Sequence, residues 1–327
     1  MKRLSNSNSI LITLSIILIA IIIFKTTIHM KDNKFSEVSM NYNIYNNKIY
    51  GLPIEIIYEG LYINKDLFEK YNIKIPQTYE ELKSAIIAFK EQDIIPIAFN
   101  CAPEGTYLYQ NIAMKLGGKE DIENPFINGK ISRCYIESLY YLKELYDLGA
   151  FPCNAFTIDD RERNRLFLEK KAAMIVQVSW FIGEGAVNYN DKSVDIIRFP
   201  SLPNGKADES AIVYGLGNGN FHLSSKAYED EAKREIVIKF LKYLTSEEVA
   251  KELVYSTGSI CDVEDIMKID DKYLINKGYE LVENCSEYVG PPDSFIERTF
   301  WESTLVKKIP QVLEGIISPE DVFNELY

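Results

Sequence analysis

Few residues in this chain could carry out covalent chemistry. Its two histidines are His29 and His222. His29 abuts an apolar N-terminal run, and His222 falls in a segment expected to be a buried strand with no carboxylate beside it. A nucleophilic triad or a two-histidine metal site needs an imidazole with a partner at short range, and neither position offers one. The GxSxG, P-loop and HExxH patterns are absent. Gly215-Leu-Gly-Asn-Gly219 has the glycine density of a phosphate loop but no lysine, and its spacing fails the dinucleotide fingerprint. It reads as a crossover or turn. The paired acids Asp159-Asp160 and Glu247-Glu248 read as solvated faces, with Glu248 at a helix start where a carboxylate favours the dipole. A glycosidase would need two carboxylates facing one bond, which no spacing here specifies. The five cysteines (101, 134, 153, 261 and 285) contain no CxxC pair, so neither a zinc nor a redox site is supported. Their odd number leaves at least one free or bonded to another chain, and spacing does not assign pairs. The expectation is a protein that is not an enzyme and uses no metal or cofactor.

The aromatic residues are more informative. Tyrosine occurs 22 times, and the two tryptophans are Trp180 and Trp301. Trp180 directly follows an expected strand end, in Val178-Ser-Trp-Phe-Ile-Gly183, and strand ends in α/β folds border the ligand crevice. Trp301 lies on a late helix in Thr299-Phe-Trp-Glu-Ser303. A flat indole can stack on the apolar face of a pyranose while polar neighbours bind its hydroxyls. On the residues alone, each tryptophan is either such a platform or a core side chain.

The elements that would position these residues alternate. Lys48 to Pro53 and Ile54 to Ile63 are extended, Asp66 to Tyr71 is a short helix, and Thr78 caps a helix with Glu81 at capping-box spacing. Leu82, Ile86 and Phe89 form that helix's apolar stripe. Ile94–Phe99, Ala172–Val178, Ile196–Phe199 and Phe221–Leu223 read as strands. Helices are expected over 109–116 (ending at Gly117-Gly118), 132–148, 160–170, 226–244 and 246–255. The tail, 295–326, should be helical with a break at Gly315 and a new cap at Ser318-Pro319. Alternating strands and helices indicate an α/β fold on a mostly parallel sheet. A length of 327 residues suggests two domains or lobes. A net charge of −12 argues against nucleic acid as a partner.

The N-terminus carries a separate signal. Lys2 and Arg3 precede an apolar run from Ile10 to Phe24, broken only by Thr13 and Ser15. Cations before such a run hold the N-terminus inside and send the downstream chain across the membrane. No small-x-small cleavage site and no lipid-anchor cysteine stand after it, which favours an uncleaved signal-anchor over a cleaved signal. The expected layout is a cytoplasmic n-region at 1–9, a transmembrane signal-anchor at 10–28 and a tether at 29–47. The bulk of the chain then lies on the extracytoplasmic face of a single-pass membrane protein.

An ordered set of short motifs covers 45–327. It comprises Gly51-Leu-Pro53, Asn64-Lys-Asp-Leu-Phe68, Pro76-Gln-Thr-Tyr-Glu-Glu-Leu82 and Phe167-Leu-Glu-Lys-Lys-Ala-Ala-Met174 with Trp180 six residues on. Pro200-Ser-Leu-Pro203, Phe240-Leu-Lys-Tyr-Leu-Thr-Ser246, Thr257-Gly258, Phe300-Trp301 and Leu313-Glu-Gly-Ile-Ile-Ser-Pro-Glu-Asp321 continue it. The set resembles the sugar-binding, maltose-binding-like family of extracellular solute-binding proteins of bacterial ABC importers. Tyr79 stands where that family usually has tryptophan, and Lys170 where it usually has glycine.

The resemblance implies a two-lobe periplasmic-binding-protein-like (type II) α/β fold, here with an incomplete N-terminal lobe and preceded by one transmembrane helix. Residues 48–59 and 214–287 would be the remnant of lobe one with its crossovers, and 60–213 with 288–327 would be lobe two. It also implies a carbohydrate ligand held by Trp180, Trp301, Tyr107, Tyr58, Glu59, Tyr214 and Asn100, with ABC permease subunits as partners. Loss of part of the cleft would weaken binding. The alternatives are a membrane-anchored, non-transporting interaction or sensor protein, a relic of a gene, or an extracellular glycosidase.

Overall fold

The computed structural model describes residues 35, 37–41, 43–183, 186–217, 220–261 and 272–326. The expected n-region, signal-anchor and start of the tether lie outside these residues. Among the described residues, no helix is long and apolar enough to cross a membrane. The chain forms two compact units. Among the described residues, the larger contains 55–183, 186–217, 252–260 and 272–326, and the smaller contains 35, 37–41, 43–54, 220–251 and 261.

The larger unit is built on strand β1 (Glu55–Asn64), all ten residues of which are buried. Helices α1 (Lys65–Lys70) and α2 (Tyr79–Lys90) come after it, then β2 (Ile95–Ile97), α3 (Thr106–Glu123), α4 (Arg133–Asp147), α5 (Asp160–Leu168) and β3 (Ala172–Val178). Strands β4 (Val194–Ile197) and β5 (Ile212–Leu216), helix α6 (Tyr273–Glu283) and strand β6 (Tyr288–Val289) come next. The unit ends with α7 (Val306–Leu313) and α8 (Pro319–Phe323). The sheet order is β6-β5-β1-β3-β2, and β4 also pairs with β1.

The expectation of a mostly parallel sheet is corrected. Strand β1 runs antiparallel to β3, β4 and β5, and the parallel pairs are β2 with β3 and β5 with β6. A strand covered on both faces reads as a continuous apolar run whichever way its neighbours point, so burial carries no information about direction.

Local sequence explains most of the elements. Thr78 caps α2, its hydroxyl accepting from the Glu81 amide at 3.3 Å. The Glu81 carboxylate reaches back to the amide of Gln77 at 2.8 Å, one residue beyond the usual partner in a capping box. At the C-terminal end, Ser318 and Asp321 form a complete capping box before α8, and Gly315 turns the chain with φ of 72°. Leu82, Ile86 and Phe89 are fully buried, as their spacing predicts.

Helix α3 is two helical stretches meeting at a kink: the first stops at Gly117-Gly118, as its sequence predicts, and a second runs on to Glu123. The interruption is absorbed at Gly118, with φ 62° and ψ −173°. That combination is open almost only to glycine. Gly118→Ala is therefore expected to cost about 1–3 kcal/mol, read as a lower urea midpoint at unchanged m. One turn earlier, buried Lys115 donates to the carbonyls of Asp208 (3.3 Å), Glu209 (2.9 Å) and Ala211 (2.9 Å), pinning the loop before β5. Burial lowers its pKa to about 8.

Helix α6, expected with the first lobe, packs in the larger unit. The Leu274 amide donates to Tyr189 O at 2.8 Å, Lys65 Nζ donates to the Tyr273 hydroxyl at 3.0 Å, and Leu274, Ile275 and Tyr279 are buried. Its apolar stripe thus finds its cover there.

In the smaller unit, Gly51–Pro53 pairs antiparallel with Asn220–His222. Helices Ser225–Glu229 and Glu231–Leu244 come next, the latter capped by the Asp230 carboxylate. His222 is exposed rather than buried as expected, because among the described residues this ribbon pairs two strands with no further strand beside them. Its Nδ1 lies 2.8 Å from Tyr50 O and its Nε2 3.1 Å from Asn220 Nδ2. No disulfide joins any of the five cysteines to another.

Candidate functional site

The ladder between β1 and β3 places Glu59 opposite Val178, so the middle of the longest strand meets the end of a second. Directly after Val178 the chain makes a single tight turn, Ser179–Phe181, that lifts Trp180 to the surface. Trp180 is 36% exposed, whereas Ser179 and Phe181 on either side are buried. Tyr107, in the first turn of α3, meets it edge-on, with ring centroids 6.4 Å apart and planes at 69°.

The floor beside this pair is polar. Asn111 lies one turn after Tyr107 on the same helix face. Its amide nitrogen donates to Glu59 Oε2 at 2.6 Å and to the Tyr107 carbonyl at 2.9 Å. Glu59 is 3% exposed. Burial, and then the charge of Asp293, pushes its carboxyl well above the usual carboxylate range, against the opposing effect of the Asn111 hydrogen bond. Burial also raises the Tyr107 phenol, followed by the nearby Glu59 and Glu104. Two side-chain oxygens in this region, Ser179 Oγ and Gln110 Oε1, are buried without a hydrogen-bond partner.

A second polar layer centres on Arg163, which is 1% exposed. Its guanidinium donates to Glu104 Oε2 at 2.8 Å, to Asn164 Oδ1 at 3.0 Å and to Asn100 Oδ1 at 3.5 Å, and lies 3.7 Å from Asp160. Gln177 Nε2 also donates to Glu104 Oε2, at 2.9 Å. Asn100 is fully buried and donates to the Ile158 carbonyl at 3.3 Å and to Asp160 Oδ1 at 3.0 Å. Gly105 allows this layer to close on α3, since a Cβ there would stand 1.9 Å from the Asn100 carbonyl oxygen.

Of the seven residues expected at the site, Trp180, Tyr107, Glu59 and Asn100 belong to this region. The other three have different surroundings. Trp301 is 4% exposed and lies in the main core, edge-on to Tyr109 with centroids 5.7 Å apart. Tyr58 adjoins Glu59 in β1, but successive strand residues point to opposite faces. It is buried and pairs across the ladder with Tyr214, whose own ring packs on Tyr288 at 4.6 Å. Sequence reasoning missed Asn111, Glu104, Arg163, Gln177, Gln110 and Asp293. Only Asn111 carried a usable signal, its spacing of four from Tyr107 on a helix.

A separate cavity of about 530 Å³ is lined by Gln77, Arg198, Ser210, Lys277 and Asn284 among others, and by none of the seven. Its cations are already engaged. Arg198 donates to the carbonyls of Ser210, Leu281 and Asn284 at 2.8–3.0 Å, and Lys277 pairs with Glu280 at 3.2 Å. Among the described residues, no three or more His, Cys, Asp or Glu side chains are grouped to hold a metal ion.

Known proteins resemble this chain in both sequence and fold. It is 24% identical over 249 residues to the multiple sugar-binding protein of Streptococcus mutans, an alignment covering 73% of this chain and 56% of that one. It is 24% identical over 303 residues to the galactooligosaccharide-binding protein of Bacillus subtilis, covering 89% and 67%. The chain therefore spans about half to two thirds of the length of these curated relatives. A solved chitin oligosaccharide binding protein superposes with a TM-score of 0.77 at 21% identity, over 92% of this chain and 75% of that one. This likeness establishes the α/β solute-binding-protein fold. Residues 24–251 match the family described as bacterial extracellular solute-binding protein, and the chain belongs to that family.

Proposed function

We propose that the chain binds a carbohydrate on the extracytoplasmic face, as the solute-binding component of an ABC import system, and that it binds without catalysing a reaction. The observation that carries this reading is the Trp180–Tyr107 pair. An indole about a third exposed with an edge-on phenol, beside the carboxyl and amides of Glu59, Asn111 and Asn100, offers the combination a sugar ring needs. The relatives named for sugars support the ligand class. In this reading the larger unit supplies the stacking surface, residues 10–28 hold the chain to the membrane as a signal-anchor, and permease subunits receive the loaded protein. Trp301, Tyr58 and Tyr214 act behind the site as packing, in keeping with their burial.

The test is a titration of the full chain, in detergent, with a panel of mono- and oligosaccharides, monitored by tryptophan fluorescence and calorimetry. A saturable change is expected. Trp180→Ala should remove the fluorescence change and weaken binding by at least about 30-fold, the effect of losing a contact worth about 2 kcal/mol. It should alter stability by less than about 1 kcal/mol, because the side chain is already a third exposed. A saturable response that survives in Trp180→Ala would place the ligand elsewhere. A flat response across the panel from a folded sample would refute the sugar reading.

A further inference from the structure

We infer that Glu104 is a ligand contact beside Trp180 and Tyr107: one oxygen of its carboxylate is held by buried side chains, and the other accepts a hydrogen bond from a ring hydroxyl of the stacked sugar. This rests on the proposal that the pair is a saccharide platform, and names a residue that selects among saccharides there.

The argument starts from where the chain puts this carboxylate. Glu104 lies in the single tight turn Pro103–Gly105 that leads into α3. Tyr107 follows three residues later, and side chains at that spacing in a helical turn are neighbours. On the other side, Gln177 of β3 precedes Trp180 by three residues. The Gln177 amide is fixed at both ends. Its oxygen accepts from the Val178 amide at 3.0 Å, and its nitrogen donates to Glu104 Oε2 at 2.9 Å and to Asn164 Oδ1 at 3.2 Å. The Glu104 carboxylate thus joins the element that carries Tyr107 to the element that carries Trp180, whose rings are 6.4 Å apart.

The bonding of this carboxylate is one-sided. Arg163 donates to Oε2 at 2.8 Å, the same oxygen that Gln177 uses. A guanidinium that served only to pair with a carboxylate would commonly take both oxygens through parallel N–H bonds. Here its other N–H groups go to Asn164 and Asn100. Arg163 and Gln177 are each 1% exposed, whereas the Glu104 side chain is 32% exposed. The interior therefore fixes Oε2, and Oε1 lies on the side that meets solvent. A carboxylate oxygen accepts hydrogen bonds, and a sugar hydroxyl donates one. A bond to a charged acceptor is about twice as strong as a neutral one, and a side chain already held in place loses little freedom in making it.

The experiment titrates the full chain, in detergent, with the methyl glycosides and homodisaccharides of glucose, galactose and mannose, and with the singly deoxygenated analogues of whichever binds. Trp180 fluorescence and calorimetric Kd are the readouts. One analogue should bind the parent chain at least about tenfold more weakly than the full sugar, because it lacks the hydroxyl that Glu104 accepts. Glu104→Gln can keep an oxygen towards Arg163 and Gln177 but offers the ligand a donor in place of an acceptor. It should weaken the full sugar by at least about tenfold and that one analogue by less than about threefold, with the other analogues weakened as much as the full sugar. Glu104→Asp keeps the charge and withdraws it by one methylene, and should shrink the same discrimination. Far-UV circular dichroism checks that both variants keep the fold. An equal loss across the full sugar and every analogue would make Glu104 a support of the fold alone, and would overturn the inference while leaving the sugar-binding reading in place. So would affinities that neither variant moves. Failure of every sugar in all three series to bind the parent chain would overturn both.

Discussion

Replacing Trp301 by alanine is expected to lower the unfolding free energy by about 3–5 kcal/mol, the cost of truncating a large aromatic side chain inside a packed core. The indole is 4% exposed and belongs to the same core as Leu305, Ile309 and Val312, with Tyr109 edge-on at 5.7 Å. It sits at the start of a five-residue π-helical turn, Trp301–Leu305, placed between the short helix Arg298–Phe300 and α7. Such turns swing a side chain out of the register of a regular helix, and here the result is an inward-facing ring. Trp301→Phe keeps an aromatic ring against Tyr109 and should cost only about half as much. Urea denaturation monitored by circular dichroism measures both, and saccharide affinity in Trp301→Phe should stay within about twofold of the parent. If Trp301→Ala left the midpoint unmoved but removed saccharide binding, the indole would be a ligand contact in solution and its burial here would not reflect the binding form.

The two tryptophans show how much of the site could be read in advance. Both belong to motifs in family order, and both could equally be core or platform. What separates them is three-dimensional. Trp180 is placed by the end of β3, and the strand boundary at Val178 was legible because the mainly apolar run 172–178, polar at Gln177 alone, stops at Ser179. The exposure of Trp301 depended on where a π-turn would rotate it, and no spacing in Thr299-Phe-Trp-Glu-Ser303 encodes that. Tyr58 and Glu59 were both selected at one strand, yet adjacent residues on a strand cannot share a face, so at most one could join Tyr107. Helix boundaries came from caps at Thr78 and Ser318, whose side chains act on amides three residues on. Strand direction did not, since all ten residues of β1 are buried, Glu55, Glu59 and Asn64 among them, whether their neighbours run with them or against them. The polar layer was the least legible part. Helix α5 reads Asp-Arg-Glu-Arg-Asn-Arg, and nothing local marks Arg163 as buried while Arg165 is exposed, beyond its spacing of four from buried Phe167.

That layer carries the second large effect. Arg163→Met is expected to destabilise the chain by about 3 kcal/mol, at the lower end of the range for breaking a buried ion pair. The lower end applies because the carboxylates left behind, Glu104 and Asp160, are each about a third exposed and can recover water. The opposite deletion, Glu104→Ala, leaves a guanidinium that is 1% exposed with Asp160 at 3.7 Å as its remaining carboxylate, and should cost at least as much. Arg163→Lys should rescue little of the loss. The guanidinium reaches Glu104, Asn164 and Asn100 at once through separate N–H groups, whereas an ammonium is a point charge without that fork. A double-mutant cycle between positions 163 and 104, by urea denaturation, should give a coupling energy above about 1.5 kcal/mol. Coupling near zero would mean that solvent already screens the pair, as it does for surface bridges such as Arg165–Glu162. The same cycle read by saccharide titration separates packing from recognition. Arg163 orders Glu104 and, through Asn100, the entry to α3 that carries Tyr107. Its loss should therefore weaken saccharide binding while leaving the Trp180 environment able to respond at higher sugar concentration.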